Sequence, residues 1–495
     1  MDISTIKYDA SGNQLWIAVY DGGLNDNAVD LTIDNMGNVY VAGNREIANN
    51  ESQFVTIKYD SNGNKIWLST YHDENIDIAA ALTIDSNGNT YVTGSSEDHY
   101  YDKNYTTIKY DNQGTQIWVA NYDNSLMDAT VAIAIDSAGD VYVTGSSQDQ
   151  YYNDNYTTIK YDSLGTQLWV ASYDNGFNDS AVDLVVDNLG SLYVTGISAN
   201  GTANDYASVK YDAANGSQLW VSRYDNGDED QAIGLTVNDA GDIYVTGSSK
   251  NSSGKFDYAT IKYDKNTGTV IWFSRYDNGE IDTAKDLAID DTGNIYIFGT
   301  SKASAGNQDY ATIKYSSQTG DEIWVVRHDS GFIDTAIALS VDTNSFYVTG
   351  FRAGNNNIDY ATIKYTQSTG PDLVMTGISG PATAVQGDAI VLNSTVENQG
   401  GTTAGVFRLG YYLSTDSSIT TADVYLGERN EYGLLAAGAS SSGNHSFGPL
   451  TIPANLTPGS YYIGAIADYL DSVVEDDEAN NALSGNSITI TISPL

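Results

Sequence analysis

Short runs of alternating apolar and polar residues, rich in Val, Ile, Thr, Tyr and Trp, fill the first 366 residues and are divided by turn signals. In one representative unit the runs are 231–237, 242–248, 257–263 and 270–276, separated by Asn-Asp-Ala-Gly-Asp at 238–242 and Asp-Lys-Asn-Thr-Gly at 264–268. Alternation with a period of two predicts strands, and Asp opening a turn with Gly near its end predicts tight hairpins. No helical period appears. All seven tryptophans fall in register at Trp16, Trp67, Trp118, Trp169, Trp220, Trp272 and Trp324, spaced 51, 51, 51, 51, 52 and 52 residues apart. Four strands per unit of ~50 residues, repeated radially, predict a β-propeller.

Counting strand types gives the number of blades. There are seven tryptophan strands, seven strands of the Leu-x-Ile-Asp type and seven of the Tyr-Val-Thr-Gly type. The strand carrying Ile/Val-Lys-Tyr has eight copies, at Lys7, Lys58, Lys109, Lys160, Lys210, Lys262, Lys314 and Lys364. Seven complete blades follow, with one lysine strand redundant. The ring is expected to close by pairing the Trp16 strand with the blade that contains residues 336–341 and 345–349, which would remove the exposed edges that promote aggregation.

"DYATIKY" occurs three times verbatim, at 257–263, 309–315 and 359–365. Both faces of a blade are covered by neighbours, so the lysine inside this phrase is expected to be buried and therefore paired. An aspartate stands ten residues after each tryptophan, at Asp26, Asp77, Asp128, Asp179, Asp230, Asp282 and Asp334. These are the expected partners, and by their place before the innermost strands they are also expected to ring one mouth of the channel.

The run Asp-x-Ala, Leu-x-Ile-Asp, Gly-Asn-x-Tyr-Val-Thr-Gly, Asp-Tyr-Ala-Thr-Ile-Lys-Tyr and Leu-Trp over residues 1–366 resembles the bacterial seven-bladed beta-propeller repeat family. That resemblance implies a secreted or surface-attached bacterial protein and no particular reaction. The pattern stops at Gln367-Ser-Thr-Gly-Pro371, a linker over 367–371. Residues 372–495 then carry seven alternating segments, at 373–379, 389–397, 407–414, 424–428, 443–452, 460–468 and 487–492, which suit an immunoglobulin-like sandwich. Here "LSTDSSITTAD" (413–423), "LTPGSYYIGAIAD" (456–468) and "VVEDDEANN" (473–481) resemble the bacterial cell-adhesion-related domain, CARDB. The expected fold class is all-β: a seven-bladed β-propeller plus a C-terminal immunoglobulin-like β-sandwich.

Composition narrows the chemistry. Cysteine is absent and only His72, His99, His328 and His445 are present, which removes disulfides and thiolate sites and leaves little for imidazole catalysis. The formal net charge is −42. Such a field repels nucleic acid and anionic lipid and attracts cations, with Ca²⁺ favoured by carboxylate and carbonyl oxygens. No apolar stretch is long enough for a membrane span. Repeat material begins within a few residues of Met1, which reads as a mature or truncated chain of a secreted protein.

Candidate sites follow from departures between repeats. The loop before each lysine strand varies freely, and two copies carry Tyr100, Tyr101, Tyr151 and Tyr152 beside Asp, Asn and Gln, a combination suited to sugar or peptide. In the sandwich, Asp416, Asp423, Asp468, Glu475 and Glu478, with Asp476 and Asp477, concentrate oxygen ligands in two turns expected to meet around Ca²⁺. No Gly-x-Ser-x-Gly elbow and no EF-hand loop occur. The expected function is a non-enzymatic, extracellular or cell-surface recognition or adhesion protein whose partner is a protein or glycan. The alternatives are a propeller polysaccharide lyase or hydrolase, and a purely structural surface-assembly module.

Overall fold

A computed structural model describes residues 2–492 apart from 48–50, 74, 239, 291–292, 304–305, 343–344, 354–357, 367–369, 432–433, 445–449 and 476–477. It is all-β and divides into two compact units, residues 1–341 with 347–364, and residues 342–346 with 365–495. Among the described residues no helix is long and apolar enough to cross a membrane.

The first unit is a seven-bladed propeller. Six blades are four-stranded antiparallel sheets in sequence order, and the seventh has three strands, Ile333–Val341, Ser345–Ala353 and Ile358–Thr366. In the third blade the strands are Asp128–Ile135, Val141–Gln148, Asp154–Tyr161 and Gln167–Tyr173. The first strand of each blade is innermost and packs against the first strand of the next.

The register explains the repeated phrase. At one end of the third blade, Tyr142, Lys160 and Trp169 lie abreast on successive strands. The ammonium of Lys160 lies over the Tyr142 ring at 4.9 Å and donates to Ala213 O of the next blade at 3.1 Å. Trp169 Nε1 donates to that same carbonyl at 3.2 Å. Lys109 with Trp118 converge on Ser163 O, Lys210 with Trp220 on Lys265 O, and Lys262 with Trp272 on Ser317 O. Blades two to five thus each grip one turn carbonyl of the neighbour with a lysine and a tryptophan donor. Under six of the seven tryptophans, Trp16 to Trp272, lies a glycine of that turn. Gly165 has φ +85°, and a Cβ there would stand 2.7 Å from the Trp118 ring, so the position needs glycine both for backbone and for space.

The expected pairing of these lysines with the Asp26–Asp334 set is corrected. Asp128 stands opposite Ser147, which faces Asn155, five residues along the strand from Lys160. At about 3.3 Å per residue the two charges lie roughly 16 Å apart. The lysines take other acids: Lys160 pairs with Asp140 at 2.9 Å, Lys262 with Asp242 at 2.9 Å and Lys314 with Asp290 at 3.2 Å.

Ring closure also differs from expectation. The Trp16 strand, Gln14–Tyr20, pairs only with Ile3–Tyr8 in a separate hairpin, while Ile358–Thr366 occupies the edge of Ser345–Ala353. Two strands of one type compete for that edge, and the copy nearer in sequence closes the shorter loop. The hairpin still continues the ring, since Lys364 Nζ reaches Ala10 O at 3.4 Å just as Lys7 Nζ reaches Ser61 O at 3.1 Å. Ile358 and Tyr360 are left 72% and 71% exposed, beside a cavity of about 760 Å³ lined by Tyr8, Trp16, Leu31, Val39, Tyr347 and Tyr360.

The second unit is a sandwich. One sheet holds Leu373–Ser379, Asn393–Asn398 and Ser440–Asn444. The other holds Thr383–Val385, Ala482–Thr491, Gly459–Ile466, Phe407–Ser414 and Val424–Glu431. Leu373, Leu392, Val396, Leu409, Ile463 and Ile488 meet in its core, all with no exposed surface.

Candidate functional site

Blades two and three carry matching turns between their second and third strands. In the first, Asp98 Oδ1 accepts from Tyr100 N at 2.7 Å and Asp102 N at 3.1 Å, and Tyr101 N donates to Asp98 O at 3.0 Å. In the second, Asp149 Oδ1 accepts from Tyr151 N at 2.7 Å and Asn153 N at 2.9 Å, and Tyr152 N donates to Asp149 O at 3.0 Å. The fourth turn position is left-handed in both, with φ +67° at Tyr101 and +65° at Tyr152. In the same turn of blade five this position is Gly254, φ +75°. A side chain in this region costs about 1–2 kcal/mol relative to glycine. The four rings are 79%, 69%, 72% and 72% exposed in chain order, so packing does not repay that cost. The turns share an end of the propeller with the segments preceding the innermost strands: Asn75 Nδ2 donates to Asp98 O at 2.6 Å, and Gln148 N to Met127 O at 3.0 Å.

The aspartates ten residues after tryptophan open the innermost strands at this end but are buried. Each accepts from the backbone N four residues earlier: Gly22 for Asp26, Asp73 for Asp77, Asn124 for Asp128, Asn175 for Asp179, Asn226 for Asp230, Asn278 for Asp282 and Ser330 for Asp334, at 2.5–3.2 Å. They close the turn that enters each blade. Burial raises the carboxyls of Asp128 and Asp230 to about 6, against donors that lower them.

Among the described residues four carboxylate trios occur in the propeller: Asp2–Asp21–Asp26, Asp205–Asp225–Asp230, Asp257–Asp277–Asp282 and Asp309–Asp329–Asp334, each with ligand atoms within 4.8 Å of one another. Three already hold a guanidinium, Arg223 on Asp205 at 2.5 Å, Arg275 on Asp257 at 2.7 Å and Arg327 on Asp309 at 2.9 Å. In the fourth, Arg45 stands opposite Asp26 in the sheet and donates to Gly22 O at 2.9 Å. A built-in cation occupies three of the trios, which therefore read as packing, and Arg45 lies near the fourth while bonding the Gly22 carbonyl.

Three further carboxylates were not singled out from the sequence. Asp30, Asp183 and Asp286 lie at the bulge of innermost strands, where other blades have Ala81, Ala132, Gly234 and Ala338. Each accepts its following backbone N–H and one from the next blade, Leu82, Leu235 and Leu339 respectively. Burial, with a smaller contribution from the charge of Asp286 two blades away, raises Asp183 to about 7. Departure from Ala or Gly in the repeat alignment was the signal that could have found them.

In the sandwich the acidic residues divide into two places. Asp416 Oδ1 accepts from Ser418 N at 2.8 Å, and Asp423 Oδ2 from Thr420 N at 2.7 Å, in the turn after Phe407–Ser414. Asp468, Glu475 and Glu478 gather after Gly459–Ile466, where Glu475 N donates to Glu478 Oε1 at 3.0 Å. The two turns do not meet, which corrects the shared calcium site. Ser414 pairs with Tyr462 and Gly410 with Ile466, so the clusters lie at opposite ends of the same strand pair. Asp476 and Asp477 lie outside the described residues.

The CARDB family profile matches residues 370–485. An uncharacterized WD repeat-containing protein of Acanthamoeba polyphaga mimivirus is 23% identical over 443 residues, 70% of this chain, and the chain spans 31% of that relative's length. Among solved structures, quinohemoprotein alcohol dehydrogenase of Comamonas testosteroni is 12% identical over 75% of this chain and 71% of its own, with TM-score 0.45. An ulvan lyase is 10% identical over 68% and 93%, with TM-score 0.41. A Pyrococcus furiosus CARDB domain in complex with di-metal ions is 19% identical over 25% and 92%, with TM-score 0.20. The expectation of a protein without enzymatic activity is corrected by these findings: enzymes stand among the folds this chain is similar to, and its architecture gives no ground for excluding catalysis.

Proposed function

We propose that the chain is a bacterial surface recognition or adhesion protein whose propeller binds glycan through the twin tyrosine turns of blades two and three. The propeller motifs resembling the bacterial repeat family and the CARDB profile match over residues 370–485 support a module of this surface type. The observation that carries the ligand class is the left-handed backbone of Tyr101 and Tyr152, held at a cost by rings that remain exposed. Strain kept in a solvated loop marks a site whose side chain has a use outside the fold. Flat aromatic faces beside Asp98, Asp102, Asp149 and Asn153 offer stacking for sugar rings and acceptors for their hydroxyls. The excess of acid disfavours polyanionic chains, so neutral or amine-bearing saccharides fit better.

The test is a glycan array followed by calorimetry on wild type and on Tyr101→Gly with Tyr152→Gly. Glycine suits the backbone, so the double variant should be more stable by about 1–2 kcal/mol per site. It should nevertheless lose at least tenfold in affinity for the captured glycan. Equal binding by a fully folded variant would refute the proposal. The same incubation read for new reducing ends or unsaturated products shows whether a bound polysaccharide is also cleaved.

A further inference from the structure

The knot of acid and amide side chains after Gly459–Ile466 gathers three buried side-chain oxygens without a hydrogen-bond partner in one short stretch. Asp468 is 3% exposed and Asn481 6%. Asp468 Oδ2 accepts from Val473 N at 2.6 Å and Ser472 is a neighbouring donor to the carboxylate, while its buried Oδ1 closes no hydrogen bond of normal geometry. Asn481 Nδ2 donates to Glu475 Oε1 at 3.1 Å, which leaves its Oδ1 buried without a partner. Asn480 Nδ2 donates to Asp372 Oδ1 at 2.9 Å, and its Oδ1 is likewise buried and unpartnered. Glu475 is 8% exposed, binds Leu373 N with Oε2, and feels the charges of Glu478, Asp468 and Asp372. Asp468, Glu475, Glu478, Asn480 and Asn481 therefore gather in one stretch of chain beside Asp372 at the start of the first sandwich strand.

Among the described residues no basic side chain is paired with them. From residue 371 onward the basic side chains are Arg408, Arg429 and His445. Arg408 pairs with Glu428 at 3.0 Å, and Arg429 donates to Ser394 and Ser441. The contrast with the propeller is informative, since three carboxylate trios there each hold a guanidinium. A buried carboxylate oxygen without a donor costs several kcal/mol unless a counter-charge reaches it.

We propose that this knot is a divalent cation site, with Asp468 Oδ1, Asn481 Oδ1, Asn480 Oδ1 and the Glu475 carboxylate as ligands. Hard oxygen donors of mixed charge, with no sulfur or imidazole among them, select Ca²⁺ over transition metals. The site ties the loop after Asp468 to Leu373, where the first sandwich strand begins, so the cation orders the entry into the sandwich. The proposal rests on the sandwich alone and is independent of the tyrosine turns.

The full chain, stripped with EDTA, is titrated with CaCl₂ by calorimetry and followed by hydrogen exchange over residues 467–481. Wild type should show saturable heat and at least a tenfold slowing of exchange in that segment, with no such slowing from NaCl at matched ionic strength. Asp468→Asn keeps the shape and the Val473 bond but removes the free charge, and should weaken Ca²⁺ at least tenfold. Asp416→Asn should bind as wild type does. If Asp468→Asn fails to fold, Asn480→Ala at the half-buried ligand takes its place with the same expected loss. Absence of saturable heat in wild type, or unchanged binding in the folded ligand variant, overturns the proposal.

Discussion

Asp183 permits a quantitative pH experiment. Burial and the charge of Asp286 raise its carboxyl from an ordinary 3.8 to about 7, while its two oxygens accept Leu184 N at 2.8 Å and Leu235 N at 2.9 Å. The folded state holds the proton more tightly than the unfolded chain. Its stabilising contribution is therefore complete below pH 3.8 and is lost as pH rises through 7. Between pH 5 and pH 8 this single group should destabilise the propeller by up to about 2.6 kcal/mol, and by on the order of 1–2 kcal/mol once solvent screening is allowed for. Asp286, Asp128 and Asp230, each raised to about 6, push in the same direction over a lower range.

Asp183→Asn is neutral at every pH. Its amide oxygen still accepts one of the two backbone N–H groups, and its amide nitrogen faces the other at a cost of about 1–3 kcal/mol. That cost is independent of pH, so the readout is a slope. Denaturant unfolding at pH 5, 6, 7 and 8 should give a stability difference, variant minus wild type, that grows by about 1–2 kcal/mol across the series. Parallel pH profiles for the two proteins would refute a raised Asp183 and the burial argument behind it.

Two further outcomes test the joint between blades. Lys160→Met should cost about 1–2 kcal/mol and Trp169→Phe a similar amount, because each removes one donor from Ala213 O. The double variant should lose about 1 kcal/mol more than the sum in denaturant melts, since only then is that carbonyl left with the long 3.5 Å bond from Tyr142 Oη alone. Gly165→Ala should cost at least ~2 kcal/mol through the left-handed backbone and the Trp118 ring together. Gly190→Ala, at φ +80° with open space around it, should cost about 1 kcal/mol, and the difference measures the tryptophan contact.

Most of the architecture was legible because the constraint repeats. A tryptophan every 51 or 52 residues, with an alternating strand before and after it, admits few arrangements. What could not be read was direction along a strand. Asp179 lies ten residues after Trp169, yet the chain turns between them, and the lysine end and the aspartate end of a blade are far apart. The same blindness joined Asp416 and Asp423 to Asp468, although the pairing of Ser414 with Tyr462 sends them to opposite ends. Closure at the seventh blade depended on which of two equivalent strands wins an edge, and equivalence in sequence carries no answer to that.

The buried charges of the propeller show why its inner surfaces and its turns should be read by different rules. Along one row of each blade, the third-strand residue and the fourth-strand residue change together. Asp205, Asp257 and Asp309 face Arg223, Arg275 and Arg327, whereas Gln53, Asn104 and Asn155 accompany Thr70, Asn121 and Ser172. In these six blades each arginine stands with its carboxylate, because either charge alone in a mostly buried row would be poorly paired, whereas exposed Asp2, with Val19 in the matching place, goes without one. The substitutions inside the blades are thus bound to one another by electrostatics. Tyr101 and Tyr152 obey no such coupling: they sit where blade five uses Gly254, strain the backbone, and gain nothing from neighbours. A departure that the fold compensates is explained by the fold, and one that the fold merely tolerates points to a partner outside it.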